Sequence, residues 1–217
     1  TQSMTTKRRG ADTEPEKLYV SFSASSTNPI DLNENFKIYF SRPIISYNYD
    51  KLFFIDNTDT IKPKIFFADS SKRTLEIEYK WEEENDYKVF IEPGTFTDIQ
   101  GYYNDTIIVN FISKTNNDYG VFLFKPKNIP VKKQIIFQLL NQKNQIIKEF
   151  IANNNETISI EFLHPSDYKL KAIIDENKNG RWDAGNYNKK ISPDKVLLYK
   201  QPIKIKGGWE TEIEWEL

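Results

Sequence analysis

In the octapeptide "TLEIEYKW", residues 74–81, apolar and polar side chains alternate almost without a break. Side chains on a strand point to opposite faces with a period of two, so Leu75, Ile77, Tyr79 and Trp81 share one face while Glu76, Glu78 and Lys80 share the other. A helical period would scatter both sets around an axis. Short strand-like runs of this kind recur along the chain. They are "LYVSFSA" (18–24), "FKIYFS" (36–41), "KLFFID" (51–56), "KIFFAD" (64–69), "DYKVFIEP" (86–93) and "DTIIVNFIS" (105–113). After the polar break "SKTNNDYG" (113–120) come "GVFLFK" (120–125), "KQIIFQLLN" (133–141), "QIIKEFIA" (145–152), "TISIEFL" (157–163), "DYKLKAIID" (167–175), "KVLLY" (195–199), "PIKIK" (202–206) and "TEIEWEL" (211–217). Asn, Asp, Ser, Pro or Gly bounds each run, at a pitch of about 12 residues. That rhythm predicts an all-β chain of two tandem β-sandwiches, residues 18–115 and 116–217, behind a disordered lead-in over 1–17. Only 134–151 fits turns of helix as well as it fits strands.

Composition supports the β reading: 14% of residues are aromatic, with 12 Tyr and 15 Phe, types that suit a pleated, half-buried surface. The 30 basic and 31 acidic residues are interspersed for a net charge of −1, so no field of one sign draws nucleic acid or an anionic membrane. Cysteine is absent, which removes disulfides, thiolate catalysis and zinc–cysteine sites. No apolar run reaches the roughly 18 residues of a membrane helix. The openings "NDYKVFIEPG" (85–94) and "SDYKLKAIID" (166–175) echo one another. Tyr87 and Tyr168 are expected to return their hydroxyls to nearby backbone, as sandwiches do at a corner before a central strand.

"IIDENKNGRWDAGNY" (173–187) carries the most pointed chemistry. With Asp175 as position 1 of an EF-hand-like loop, Asn177 and Asn179 take positions 3 and 5. Gly180 takes position 6, Arg181 offers a carbonyl at 7, and Asp183 and Asn186 fall at 9 and 12. The oxygens suit calcium. Asn186 stands where sensor loops carry a bidentate Glu, and Asp175 and Asp183 alone are charged, so binding is expected to be weak, about 10⁻⁴–10⁻³ M. "KLKAII" before the loop alternates and "KKISPDKV" after it contains Pro193, so no helix pair flanks it. The other reading is a metal-free Asn-Gly turn held by Asx hydrogen bonds. Trp182, inside the loop, is expected against the sandwich edge, and Trp209 and Trp215 in the core.

Catalysis finds little footing. The one histidine, His164 in "FLHPSDY", reads as a surface-loop residue, and no glycine-rich phosphate cradle is present among 8 glycines. No enzyme is expected.

Two stretches carry a resemblance. "DLNENFKIYFSRPI" and "YKVFIEPGTFTDIQGYYNDTIIVNF" resemble the bacterial Ig-like domains of the surface-layer type. Ser41, Arg42, Pro43 and Ile44 match their "F-S-x-P-I" mark; Tyr87, Pro93, Gly94, Asp98 and Gly101 match their late "Y…P-G-x-x-x-D-x-x-G" stretch. The second half, from "DYGVFLF" to "GGWETEIEW", is similar to the C-terminal module of Ig-like-domain lipoproteins of the cell envelope in Bacteroidetes-type bacteria. The resemblance implies a C-terminal piece of an exported lipoprotein, whose lipidated cysteine and further β domains precede this region. It implies an envelope location, at the outer membrane, cell surface or periplasm, and partners among other envelope proteins. It also implies a loop that calcium braces, as similar loops do in surface-protein sandwiches. "D-T-I" at 59–61 and 105–107 resembles the O-glycosylation site of envelope proteins in these bacteria, making Thr60 and Thr106 candidates beside the reading of ordinary strand starts. The expected role is non-catalytic, that of a structural or interaction module in a larger surface assembly. The alternative is a carbohydrate-binding module using Tyr102, Tyr103 or Trp182 on surface glycans.

Overall fold

The structure, a computed structural model, describes residues 17–129, 133–152 and 154–217; the expected lead-in lies outside them except for Lys17. Two compact units divide the chain, Thr1–Lys114 and Thr115–Leu217. Both are built from strands, and no described helix is long and apolar enough to cross a membrane.

The first unit runs β1 (Val20–Phe22), β2 (Phe36–Phe40), β3 (Ile44–Tyr47), β4 (Leu52–Asp56), β5 (Asp59–Ile61), β6 (Lys64–Phe67), β7 (Thr74–Glu78), β8 (Asp86–Ile91), β9 (Phe96–Asp98) and β10 (Ile107–Ile112). Its sheets have the orders β1-β2-β7-β6 and β10-β8-β4-β5, all antiparallel, and β3 pairs separately with β9. The alternation of residues 74–81 holds as expected: Leu75 and Ile77 are buried beside Phe36, Ile38 and Phe54. Tyr79 and Trp81 continue the same face past the strand end, packing on Phe54. The Trp81 Nε1–H donates to the Glu34 carbonyl at 2.6 Å, which keeps its polar end satisfied inside the core.

The two marks of the surface-layer resemblance meet in space. Pro43 turns the chain out of the first sheet, and Ile44 pairs with Asp98. The Asp98 carboxylate is buried; its Oδ1 accepts the backbone N–H groups of Gln100 and Tyr102, both at 2.9 Å. Its Oδ2 accepts from Arg42 at 3.2 Å. One acid therefore folds the 98–102 turn and ties it to the start of β3.

The second unit runs β11 (Gly120–Lys127), β12 (Gln134–Leu140), β13 (Ile146–Ala152), β14 (Ile158–Leu163), β15 (Ser166–Asp175), β16 (Lys195–Leu198), β17 (Ile203–Ile205) and β18 (Glu210–Glu216). One sheet has the order β14-β11-β18 and the other β13-β12-β15-β16, with β17 on the start of β15. Segment 134–151 is strand on both sides of its turn. The core takes Ile135, Phe137 and Leu139 from β12, with Leu170 and Ala172 from β15. Trp215 joins it, edge-on to Phe137 and Tyr199. Trp209 does not: it is 67% exposed. It follows the Gly207-Gly208 turn at the first residue before β18, and its ring lies beneath the Lys206 ammonium.

Both expected tyrosine corners are present. The Tyr87 hydroxyl accepts the Glu82 N–H at 2.8 Å, and the Tyr168 hydroxyl donates to the His164 carbonyl at 2.8 Å. Tyr87→Phe and Tyr168→Phe are each expected to lower stability by about 1 kcal/mol, the net value of one hydrogen bond; urea unfolding of the variants measures it.

Candidate metal-binding loop

The loop starts from a register position. β15 alternates, so Asp175 shares the sheet's outer face with Ile173, opposite Gln134 on β12. The Asp175 side chain is fully buried. Its Oδ2 accepts the Gly180 N–H at 2.8 Å and the Gln134 Nε2–H at 3.0 Å; its Oδ1 accepts the Asn179 N–H at 3.3 Å. No lysine or arginine among the described residues pairs with it. Gly180 bends with φ +77°, the left-handed region that glycine enters without steric cost.

Asp183 is the second gathering point. Its Oδ2 accepts the side-chain amide N–H groups of Asn177 at 2.6 Å and Asn179 at 2.7 Å. The Arg181 guanidinium lies 3.7 Å from its Oδ1. The two amide oxygens face backbone: Asn177 Oδ1 accepts from Asn179 N–H and Asn179 Oδ1 from Arg181 N–H. Asp175, Asn177, Asn179 and Asp183 thus form one network. Amide N–H groups and an exposed guanidinium supply positive charge around Asp183. Asn186 lies outside the network. Its Oδ1 accepts the Lys189 N–H, and its backbone pairs with Ile191 in both directions.

Sequence reasoning missed Asp194. Its Oδ2 accepts the Asp183 N–H at 2.9 Å, and its own N–H donates to the Asp183 carbonyl at 3.0 Å. Its carbonyl accepts the Trp182 Nε1–H at 3.2 Å. Asp194 closes residues 183–194 into a finger at the start of β16. The signal was an acid directly after Pro193, on the far side of the same connection. Trp182, expected against the sandwich edge, is half-exposed because this bond holds its indole to the finger.

Oxygen donors suit a hard cation such as calcium, which takes six to eight of them. Carboxylates come from Asp175 and Asp183, amide oxygens from Asn177 and Asn179, and a carbonyl from Arg181. Both amides would have to turn oxygen inward. No three His, Cys, Asp or Glu side chains gather as a metal group among the described residues, so asparagine and backbone oxygens would complete any coordination.

No protein-family model matches the chain, and no curated protein matches it. Among solved structures, it is similar to a native α2-macroglobulin fragment from Escherichia coli spanning domains MG0-NIE-MG1. Identity is 12% over 84% of this chain and 71% of that one, with a TM-score of 0.40. The major pilin subunit BcpA of Bacillus cereus follows at 11% identity over 93% and 70%, TM-score 0.33. The Bacillus anthracis TIE protein is 11% identical over 94% and 41%, TM-score 0.29. At such identities and scores these likenesses carry no argument about the chain's role.

The remaining candidates occupy separate places. His164 is exposed, with its carbonyl on Tyr168 and its ring against Tyr119. Tyr102 lies under the Arg42 guanidinium, 5.2 Å from the ring centre, whereas Tyr103 is largely exposed. Thr60 and Thr106 are both exposed; Thr60 sits inside β5 and Thr106 just ahead of β10.

Proposed function

We propose that this chain is a non-catalytic structural and interaction module of a bacterial cell-envelope protein, in which a calcium ion braces the loop at residues 175–183. The observation that carries the calcium reading is Asp175: a fully buried carboxylate with no cationic side chain paired to it among the described residues, at the base of a loop whose Asn177 and Asn179 side chains converge on Asp183. Burying a carboxylate is costly unless charge and hydrogen bonds compensate it; a divalent cation would supply the charge. The ion would be held by Asp175, Asp183, Asn177, Asn179 and the Arg181 carbonyl, and would take over part of the entropic cost of ordering a long connection. With two charged ligands the site would be filled outside a cell and empty in a cytosol. The envelope placement rests on the sequence resemblance and fits that affinity.

The non-catalytic reading is supported by how the polar side chains are used. Asp98 holds a turn, Asp69 holds another through Ser71, Arg73 and Thr74, and Tyr87 and Tyr168 brace corners. A glycan-binding role is the second reading, favoured by the exposed rings of Tyr103, Trp182 and Trp209.

Melting of the wild type in about 5 mM calcium and in chelator tests the ion. For a dissociation constant of about 10⁻⁴ M, calcium should stabilise by about 2 kcal/mol, and Asp175→Ala should abolish the shift. No shift in the wild type, or the same shift in the variant, overturns the calcium reading. Saturable binding of soluble glycans would instead favour the second reading.

A further inference from the structure

The outer face of the β13-β12-β15-β16 sheet carries an apolar row that a two-layer sandwich would leave to solvent. The register places Ile151 of β13 beside Ile136 of β12, Ile136 beside Ile173 of β15, and Ile173 beside Val196 of β16. None of these side chains belongs to the core between the sheets. Even so, Ile136 is 1% and Ile173 2% exposed, whereas Ile151 and Val196 at the ends of the row are 51% and 44% exposed. The centre of the row is therefore covered and its ends are open.

We propose that residues 176–194 form a strap that closes over this row, and that cation binding within the strap sets how often it opens. Two contacts carry the strap onto the face. Asp175 and Gln134 form the next row along, and the Asp175 carboxylate accepts the Gly180 N–H, so the chain turns back over the sheet instead of leaving its end. At Gly180 a side chain would meet the Ile151 Cδ1 at 3.8 Å, which places the strap above the β13 edge, across β12. The strap's far half is closed on itself by the paired hydrogen bonds of Asp183 and Asp194, just before β16 begins. Its tightest point is Gly185, where an added Cβ would lie 2.6 Å from the Ile191 carbonyl oxygen.

Such a strap is a local opening unit. It is fixed by a few polar bonds and one apolar contact row, so it can lift without unfolding the sandwich. Lifting joins Ile136 and Ile173 to the open Ile151 and Val196 in one continuous apolar surface. The control by cation rests on the calcium reading; the strap itself rests on register, burial and contact.

The test is limited trypsin digestion of the full chain, with mass-spectrometric timing of cleavage after Arg181, in calcium and in chelator, alongside binding of a hydrophobic dye. Ile151→Ala and Val196→Ala trim the half-exposed ends of the row and leave the core intact. Ile151→Ala should speed cleavage after Arg181 about fivefold and raise dye binding, with little change in the melting of the second unit; Val196→Ala should act in the same direction. Calcium should slow cleavage in the wild type. Unchanged cleavage and dye binding in both variants overturns the strap, whatever calcium does. Faster cleavage in the variants together with no calcium effect on either cleavage or melting upholds the strap and removes the ion from its control.

Discussion

Gly120→Ala should strongly destabilise the second unit. Gly120 opens β11, and a Cβ there would sit 2.5 Å from both the Lys206 carbonyl oxygen and the Ile205 Cγ2. The oxygen is backbone and cannot swing aside. Its segment is fixed by the Gly208 N–H on the Tyr119 carbonyl at 2.8 Å and the Val121 N–H on the Trp209 carbonyl at 3.0 Å. Relieving the clash means prising the β17–β18 turn from the first strand. Overpacking of this kind costs about 3 kcal/mol, a drop of about 15 °C in the midpoint of a unit of this size. Gly101→Ala is the control: φ is +86° with open space around the added atom, so only backbone strain of about 1–2 kcal/mol is expected. Calorimetry showing equal losses for the two substitutions would contradict the close approach.

Asp98→Ala should cost the first unit about 3 kcal/mol, since it removes the buried acceptor shared by the Gln100 and Tyr102 N–H groups and the Arg42 guanidinium. The same site makes the unit sensitive to acid. Burial alone would raise the Asp98 pKa, but the Tyr102 N–H, the Arg42 guanidinium and the Gln100 N–H outweigh it and hold the carboxyl below its ordinary value. With the folded value depressed, the stabilisation is complete above the unfolded pKa of about 3.9. It is lost as pH falls below that and through the folded value. Asp98→Asn should be less stable at neutral pH and should flatten the acid limb of the first unit's stability curve. A parallel limb, followed by urea unfolding from pH 6 to pH 2.5, would refute this.

How much the sequence discloses depends on the length over which a pattern runs. Strands such as β7 and β15 are legible because five or more residues alternate against a face that is buried. β3, β5 and β9 are three or four residues long, too short for a period to register, and two of them exist because Asp98 and Arg42 bring distant turns together. The resemblance pointed to those residues without giving the reason that one acid serves both marks. At the loop, spacing marks Asp175, Asn177, Asn179 and Asp183, which the fold joins in one hydrogen-bond network. It marks Asn186 as well, which lies outside that network, because a count along the chain cannot see that residues 183–194 fold back into a finger. Asp194, the residue that makes the finger, could be found only from that fold. Trp209, expected in the core, lies instead on the surface just ahead of β18; the two adjacent glycines before it mark the turn that keeps it there.

The order of strands in the second unit has a consequence for how a nascent chain becomes structured. β18, the last strand, lies parallel to β11, the first, and pairs with it along its whole length. A parallel neighbour this remote in sequence must be recruited across some ninety intervening residues, and such closure is slow to form. During synthesis β11 would wait with one edge bare until residues 210–216 leave the ribosome, and a bare edge invites pairing with other chains. Glu210, Glu212, Glu214 and Glu216 put an acidic side chain at every second position of the strand that finally fills this place. Glu212 and Glu214 answer Lys125 and Lys127 on β11, so charge as well as backbone selects the strand that completes the sheet.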